Sequence, residues 1–258
     1  MRYIEVDVDD STAYLLPIGD IHIGDRAFRV EGEDKLIGYL KWARERQDQA
    51  RIILMGDIFN VATRASKTSP FETESSEFQR ATDLFSPYAN LIIGAIDGNH
   101  EARLRDFVGY SPLESFCREL KIPYAGWSAT VRLRVGKRAS EDAVYRQRYF
   151  IYAHHTTGGG GSLGNALNTV RKLEEVVQGC DVYLGGHNHQ LVEGARDVWV
   201  PSDQSHACVK RRVHYVSCGG YLEWEGSYNE QAMRSPSKLG SPRIRFSGGD
   251  SKDVHCSI

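Results

Sequence analysis

The chain has 258 residues, 41% hydrophobic and 26% charged, with a formal net charge of −2 at pH 7. This average soluble composition excludes collagen-like, disordered and low-complexity classes, and no apolar run approaches the ~20 residues of a membrane span. The near-neutral balance argues against a generally basic nucleic-acid surface. One domain over residues 1–258 is expected. A cytoplasmic location is expected too, because Met1–Asp7 is acidic and strand-like, without the basic and apolar regions of a secretion signal. Five scattered cysteines (Cys117, Cys180, Cys208, Cys218, Cys256) with no C-x-x-C pair read as reduced, mostly buried thiols.

In chain order, Tyr14–Ile18 predicts a strand running into Gly19-Asp20-Ile21-His22, followed by a helix with the apolar stripe Leu36, Ile37, Leu40 and Ala43. Ile52–Met55 is a second strand, ending at Gly56-Asp57. The Ser/Thr-rich residues 64–76 read as a surface loop, with a lid as the alternative. A helix from Glu74 to about Tyr88 precedes the strand Leu91–Ile96, which stops at Asp97-Gly98-Asn99-His100-Glu101. Thr130–Val135 and Arg146–Ala153 read as neighbouring strands, the second ending at His154. Gly158–Gly161 offers backbone amides that could approach a phosphate, or simply a turn. Apolar residues from Leu163 to Val177 recur at helical spacing, with Gly179 as a stop signal. Val182–Leu184 ends at Gly185-Gly186-His187-Asn188-His189. Gln190–Val200 and Arg212–Cys218 predict strands of a second sheet, and Lys210-Arg211-Arg212 a solvated face. The tail from Ser235 reads as extended packing with a loose end.

Continuous apolar runs of four to six residues mark strands covered on both faces, and polar residues just past their carboxyl ends can converge on one crevice. The candidate ligands there are Asp20, His22, Asp57, Asn99, His154, His187 and His189. Carboxylate, imidazole and amide oxygen together suit Mn, Fe, Zn, Co or Ni. Seven ligands exceed what one ion with an open position takes, so two divalent ions sharing a carboxylate are expected, manganese first. On extended backbone, the side chains of Asp-x-His and His-x-His would point the same way.

The ordered set D-x-H, G-D, G-N-H-E, H and G-H-x-H resembles the five motifs of calcineurin-like metallophosphoesterases. The resemblance implies a four-layer αββα sandwich: two central mixed β-sheets flanked by helices, of α/β class. It implies that Asp20, His22 and His189 hold one metal, that Asn99, His154 and His187 hold the other, and that Asp57 bridges them. His100 would be the catalytic acid. At the fourth motif His154 is favoured because it directly follows the strand residues, with His155 as the alternative. A bridging hydroxide would attack phosphorus in line with the leaving group.

The Ser/Thr phosphoprotein phosphatase branch is disfavoured, because Asp97 stands where its arginine would precede Gly98, and Asp57-Ile58-Phe59-Asn60 lacks its Asp-Arg-Gly. Asp20-Ile21-His22-Ile23-Gly24 is closer to the nuclease and phosphodiesterase opening. The reading is therefore a phosphodiesterase whose phosphoester substrate is a nucleotide or nucleic acid, with no membrane partner. A phosphomonoesterase or protein phosphatase is the alternative, and a non-catalytic metal-binding scaffold stands third.

Overall fold

The apolar runs become strands because helices or a second sheet cover both of their faces. The computed structural model describes residues 1–62, 73–136, 147–158, 162–203 and 205–258. Most of the expected loop at 64–76 and the end of the Gly158–Gly161 run lie outside the described residues. The strands are β1 (Arg2–Val8), β2 (Thr12–Ile18), β3 (Ala50–Leu54), β4 (Ile92–Ala95), β5 (Ser128–Val135), β6 (Gln147–His154), β7 (Val182–Gly185), β8 (Leu191–Ser202), β9 (Ala207–Cys218), β10 (Arg243–Ser247) and β11 (Val254–Ser257). They form a six-stranded sheet in the order β1-β5-β6-β7-β9-β8 and a five-stranded sheet in the order β11-β10-β2-β3-β4. Within these, β2-β3-β4 and β6-β7-β9 are parallel runs.

Among the described residues the helices are α1 (Val30–Glu45), α2 (Glu74–Phe85), α3 (Asn99–Val108), α4 (Pro112–Leu120), α5 (Leu163–Arg171) and the single turns α6 (Leu173–Val176) and α7 (Tyr228–Gln231), with a 3-10 helix at Ser86–Leu91. Strand alternation sorts the core into three apolar layers. Leu16, Ile18, Ile52 and Leu54 pack outward on Leu36 and Leu40 of α1, Phe85 of α2 and Phe116 of α4. Their neighbours Leu15, Ile53 and Met55 face Val131, Ile151, Ala153, Leu184 and Val216 of the larger sheet. Beyond that sheet, Tyr152, Tyr183 and Tyr215 pack against Val170 and Leu173. This is the expected αββα sandwich.

Three elements differ from the sequence reading. The tail is not loose: β10 joins β2 and β11 joins β10, both antiparallel, as the edge of the smaller sheet. The helix from Leu163 is interrupted at Lys172, so α5 and α6 are separate. Helix α3 begins inside the G-N-H-E motif, which carries no apolar stripe to announce it; its Phe107 is 82% exposed. No disulfide joins the five cysteines, of which Cys208 is exposed and Cys256 half-buried. Among the described residues, no helix is long and apolar enough to cross a membrane.

Candidate metal centre

The parallel strands of both sheets end at one rim, and the motif residues follow them there. Asp20 comes after β2, Asp57 after β3, Asn99 after β4, His155 after β6, and His187 and His189 after β7. The rim is locked by backbone: the Asp20 amide donates to the Gly56 carbonyl at 3.0 Å, and those of Ile21 and His22 donate to the Asp57 carbonyl at 2.9 and 3.0 Å. Gly98 lets two loops touch, since a Cβ there would lie 2.0 Å from Asp57 Oδ1.

Six of the seven expected ligands meet. His22 Nε2 lies 3.2 Å from His189 Nε2 and 3.8 Å from Asp57 Oδ2, and His189 Nε2 lies 3.6 Å from Asp20 Oδ1. Asn99 Oδ1 sits 2.6 Å from His187 Nδ1. The fourth-motif residue in this cluster is His155, not the expected His154. Its Nε2 stands 3.2 Å from both Asp57 Oδ2 and Asn99 Oδ1. The reason is strand parity. β6 runs one residue further than the sequence reading, through His154, which therefore shares the helix-facing side with Tyr152. The His154 ring is turned to its own chain, where Nδ1 accepts the Thr156 amide at 2.8 Å.

The paired motifs do not work through extended backbone. Asp20, His22, Asp57, His187 and His189 all have positive φ, between 49° and 72°. Left-handed backbone costs a non-glycine residue roughly 1–2 kcal/mol, so five such residues hold on the order of 5–10 kcal/mol of strain. That is comparable with the ~5–15 kcal/mol net stability of a typical domain. Only an over-determined frame sustains it, and the two sheets with their rim hydrogen bonds provide one.

The donor set fits cations. Ligand atoms each ~2.0–2.2 Å from one ion are about 3–3.6 Å apart, close to the spacings found here. The Nε2 atoms of His22 and His189 face each other across a buried gap, while both Nδ1 atoms are buried without partners. His155 is oriented for ligation: Nδ1 faces the Met55 carbonyl at 2.7 Å, leaving Nε2 for the cage. Groups of three donors gather as Asp20, His22, His189 and as Asp57, His155, His187.

The calcineurin-like phosphoesterase family profile matches residues 15–191, which contain every one of these donors. The chain belongs to the calcineurin-like phosphoesterases. It is a metallophosphoesterase, a hydrolase of phosphoric ester bonds. No curated protein matches it. Solved structures resemble it distantly. A phosphoesterase from E. coli, YfcE, is 14% identical, with 91% of this chain and 88% of that one covered and a TM-score of 0.42. The NAD nucleotidase NadN of Haemophilus influenzae is 11% identical, with 96% and 49% covered and a TM-score of 0.46. GAP50 of Plasmodium, the anchor in the inner membrane complex, is 11% identical, with 95% and 88% covered and a TM-score of 0.41.

Two residues around this phosphoesterase site, Glu101 and Arg234, have no role assigned from sequence, and Arg105 reads there either as a substitute phosphate clamp or as an ordinary surface arginine. Glu101 is fully buried and accepts the amides of Asp57, Ile58, Phe59 and Gly98 at 2.7–3.1 Å. A Glu three residues after a helix N-cap is a signal that could have pointed to it. Arg105 is tied to buried Asp97 and lies over Trp127, so it is committed to the frame. Arg234 lies near enough to the cage to act electrostatically on Asp20, His187 and His189, and no motif in the tail marks it.

Electrostatics follow from burial and packed charges. Burial lowers His187 to about 4 and His189 to about 3, and pushes Asp20 up to about 7 with Asp57 adding to the rise. Burial opposes charge on Asp57 and His155 as well. The ion pair between them overrides it, holding Asp57 well below the carboxylate range and raising His155 to about 10.

Proposed function

We propose that Asp20, His22 and His189 hold one divalent ion, that Asn99, His155 and His187 hold a second, and that Asp57 is shared. Manganese is the metal, and a phosphodiester of a nucleotide or nucleic acid the substrate. The observation that carries this reading is that Asp57 Oδ2 stands between the two donor groups, 3.8 Å from His22 Nε2 of the first and 3.2 Å from His155 Nε2 of the second, with His100 beside it. When bound, such ions act as Lewis acids on phosphate oxygens and lower the pKa of water to about 7.

The protein's own groups supply the rest. Asp20 and Asp57 return only two negative charges, so a loaded site attracts an anionic ester. His100 is held at both ends of the residue: its amide donates to Asp57 Oδ1 at 2.9 Å, and Nδ1 lies 2.5 Å from the Asn60 carbonyl. That carbonyl accepts a hydrogen bond from Nδ1–H, so in the doubly protonated ring Nε2–H is the group that gives its proton to the leaving alkoxide. Arg105 is occupied by Asp97, while Arg234 acts electrostatically on the cage. The opening Asp20-Ile21-His22-Ile23-Gly24 supports the diester reading.

Comparing bis-p-nitrophenyl phosphate with p-nitrophenyl phosphate, with Mn²⁺, tests it. Higher kcat/KM on the diester is expected. Preference for the monoester would make the protein a phosphomonoesterase, and failure on both would favour a binding scaffold.

A further inference from the structure

A second group of metal-type donors lies outside the phosphoesterase site. Glu193, His214 and Cys256 each offer one donor atom, and these atoms lie within 4.8 Å of one another. Strand register explains why they meet. In the β8–β9 pairing, Glu193 faces Val216 and Ala195 faces His214, so Glu193 and His214 share the face of Val216, which is buried between the sheets. On the opposite sheet, Cys256 of β11 pairs with Ile244 of β10 and packs on the same inter-sheet core. The larger sheet's edge thus presents a carboxylate and an imidazole to a thiol on the smaller sheet's edge.

We infer that Glu193, His214 and Cys256 form a mononuclear Zn²⁺ site that ties the two edge strands together. Thiolate, imidazole and carboxylate are the ligand types zinc takes, with water completing the tetrahedron. In such a site neighbouring donors stand about 3.4–3.6 Å apart, and His214 Nδ1 already lies 2.9 Å from Glu193 Oε1. The imidazole is nearly buried, while Glu193 and Cys256 are half-buried and give an ion a way in. The frame is set independently, because Lys252, in the β10–β11 connection, binds the buried Asp181 carboxylate at 3.0 Å. The site is separate from the phosphoesterase cage: His214 is level with Val182, three residues and ~10 Å before the rim end of β7. The cage donors include no sulfur.

That difference in ligand chemistry gives the test. Co²⁺ is titrated into the metal-stripped full-length protein, and the near-ultraviolet sulfur-to-cobalt charge-transfer band is followed. Only a thiolate ligand produces it, so filling of the phosphoesterase cage leaves it silent. The band is expected to reach the intensity of about one thiolate-bound Co²⁺ per chain, whatever further Co²⁺ the cage takes up, to be displaced by Zn²⁺, and to vanish in Cys256→Ser. It should survive in Cys208→Ser and in His155→Ala, and Glu193→Gln, which removes a direct ligand, should weaken the cobalt affinity by more than the ~10–100-fold typical for losing a partner behind a ligand. No band in the wild-type protein, or a band that persists in Cys256→Ser, would overturn the proposal whatever the fate of the phosphoesterase reading.

Discussion

The carboxylate of Glu101 accepts the backbone amide of Asp57 at 2.9 Å and, through its other oxygen, the amides of Ile58 and Phe59 at 2.7 and 3.1 Å. A side chain with no place in the cage therefore fixes the loop that presents the shared carboxylate. Burial and Asp57 push Glu101 up to about 8, so its hold on the loop depends on those amides. Glu101→Gln replaces one acceptor with an NH₂ group facing amide donors. It should cost about 1–3 kcal/mol in denaturant unfolding and lower metal affinity about 10–100-fold. Wild-type values on both measurements would remove Glu101 from this role.

The reassignment within the fourth motif is tested directly. His155→Ala should lower metal affinity by more than the ~10–100-fold typical for losing a partner behind a ligand. His154→Ala should bind metal as the wild type does. The reverse pattern, read by metal titration, would restore His154.

His100→Ala should keep its metal and lose about 10²–10⁴ in turnover on an ester with a poor leaving group. The loss should shrink on a p-nitrophenyl ester, whose leaving group needs little protonation. Equal losses on both substrates would show that His100 does not deliver the proton.

Metal binding should strengthen with pH. His155 is raised from 6.5 to about 10 in the metal-free chain, with Asp57 overcoming burial. Its contribution to stability is fully present below about pH 6.5 and is lost as pH rises through about 10. A cation needs the neutral ring, so binding expels that proton. Between those values, affinity should rise by up to about tenfold per pH unit. Chelator competition at about pH 7 and about pH 9 measures this, and equal affinities would contradict it.

The strands were legible because burial on both faces leaves uninterrupted apolar runs, and the motifs stood out because each follows such a run. What the sequence did not carry was backbone detail. Nothing in Tyr152-Ala153-His154-His155 says whether pairing stops before or after His154, and that one residue decides which ring turns to the cage. The left-handed backbone of Asp20, His22 and Asp57 left no glycine as a sign. β10 and β11 were hidden because Arg245 and His255 expose every second position, leaving no apolar run.

The most direct test of the shared cage is the manganese content of the wild-type protein and Asp57→Asn after loading and desalting. Manganese suits oxygen and imidazole donors and not a thiolate site, so it reports on the cage alone. About two Mn²⁺ per wild-type chain, with both weakened in Asp57→Asn, is the predicted result. One ion or none in the wild type, or undiminished binding in Asp57→Asn, would contradict a pair of cations held around Asp57.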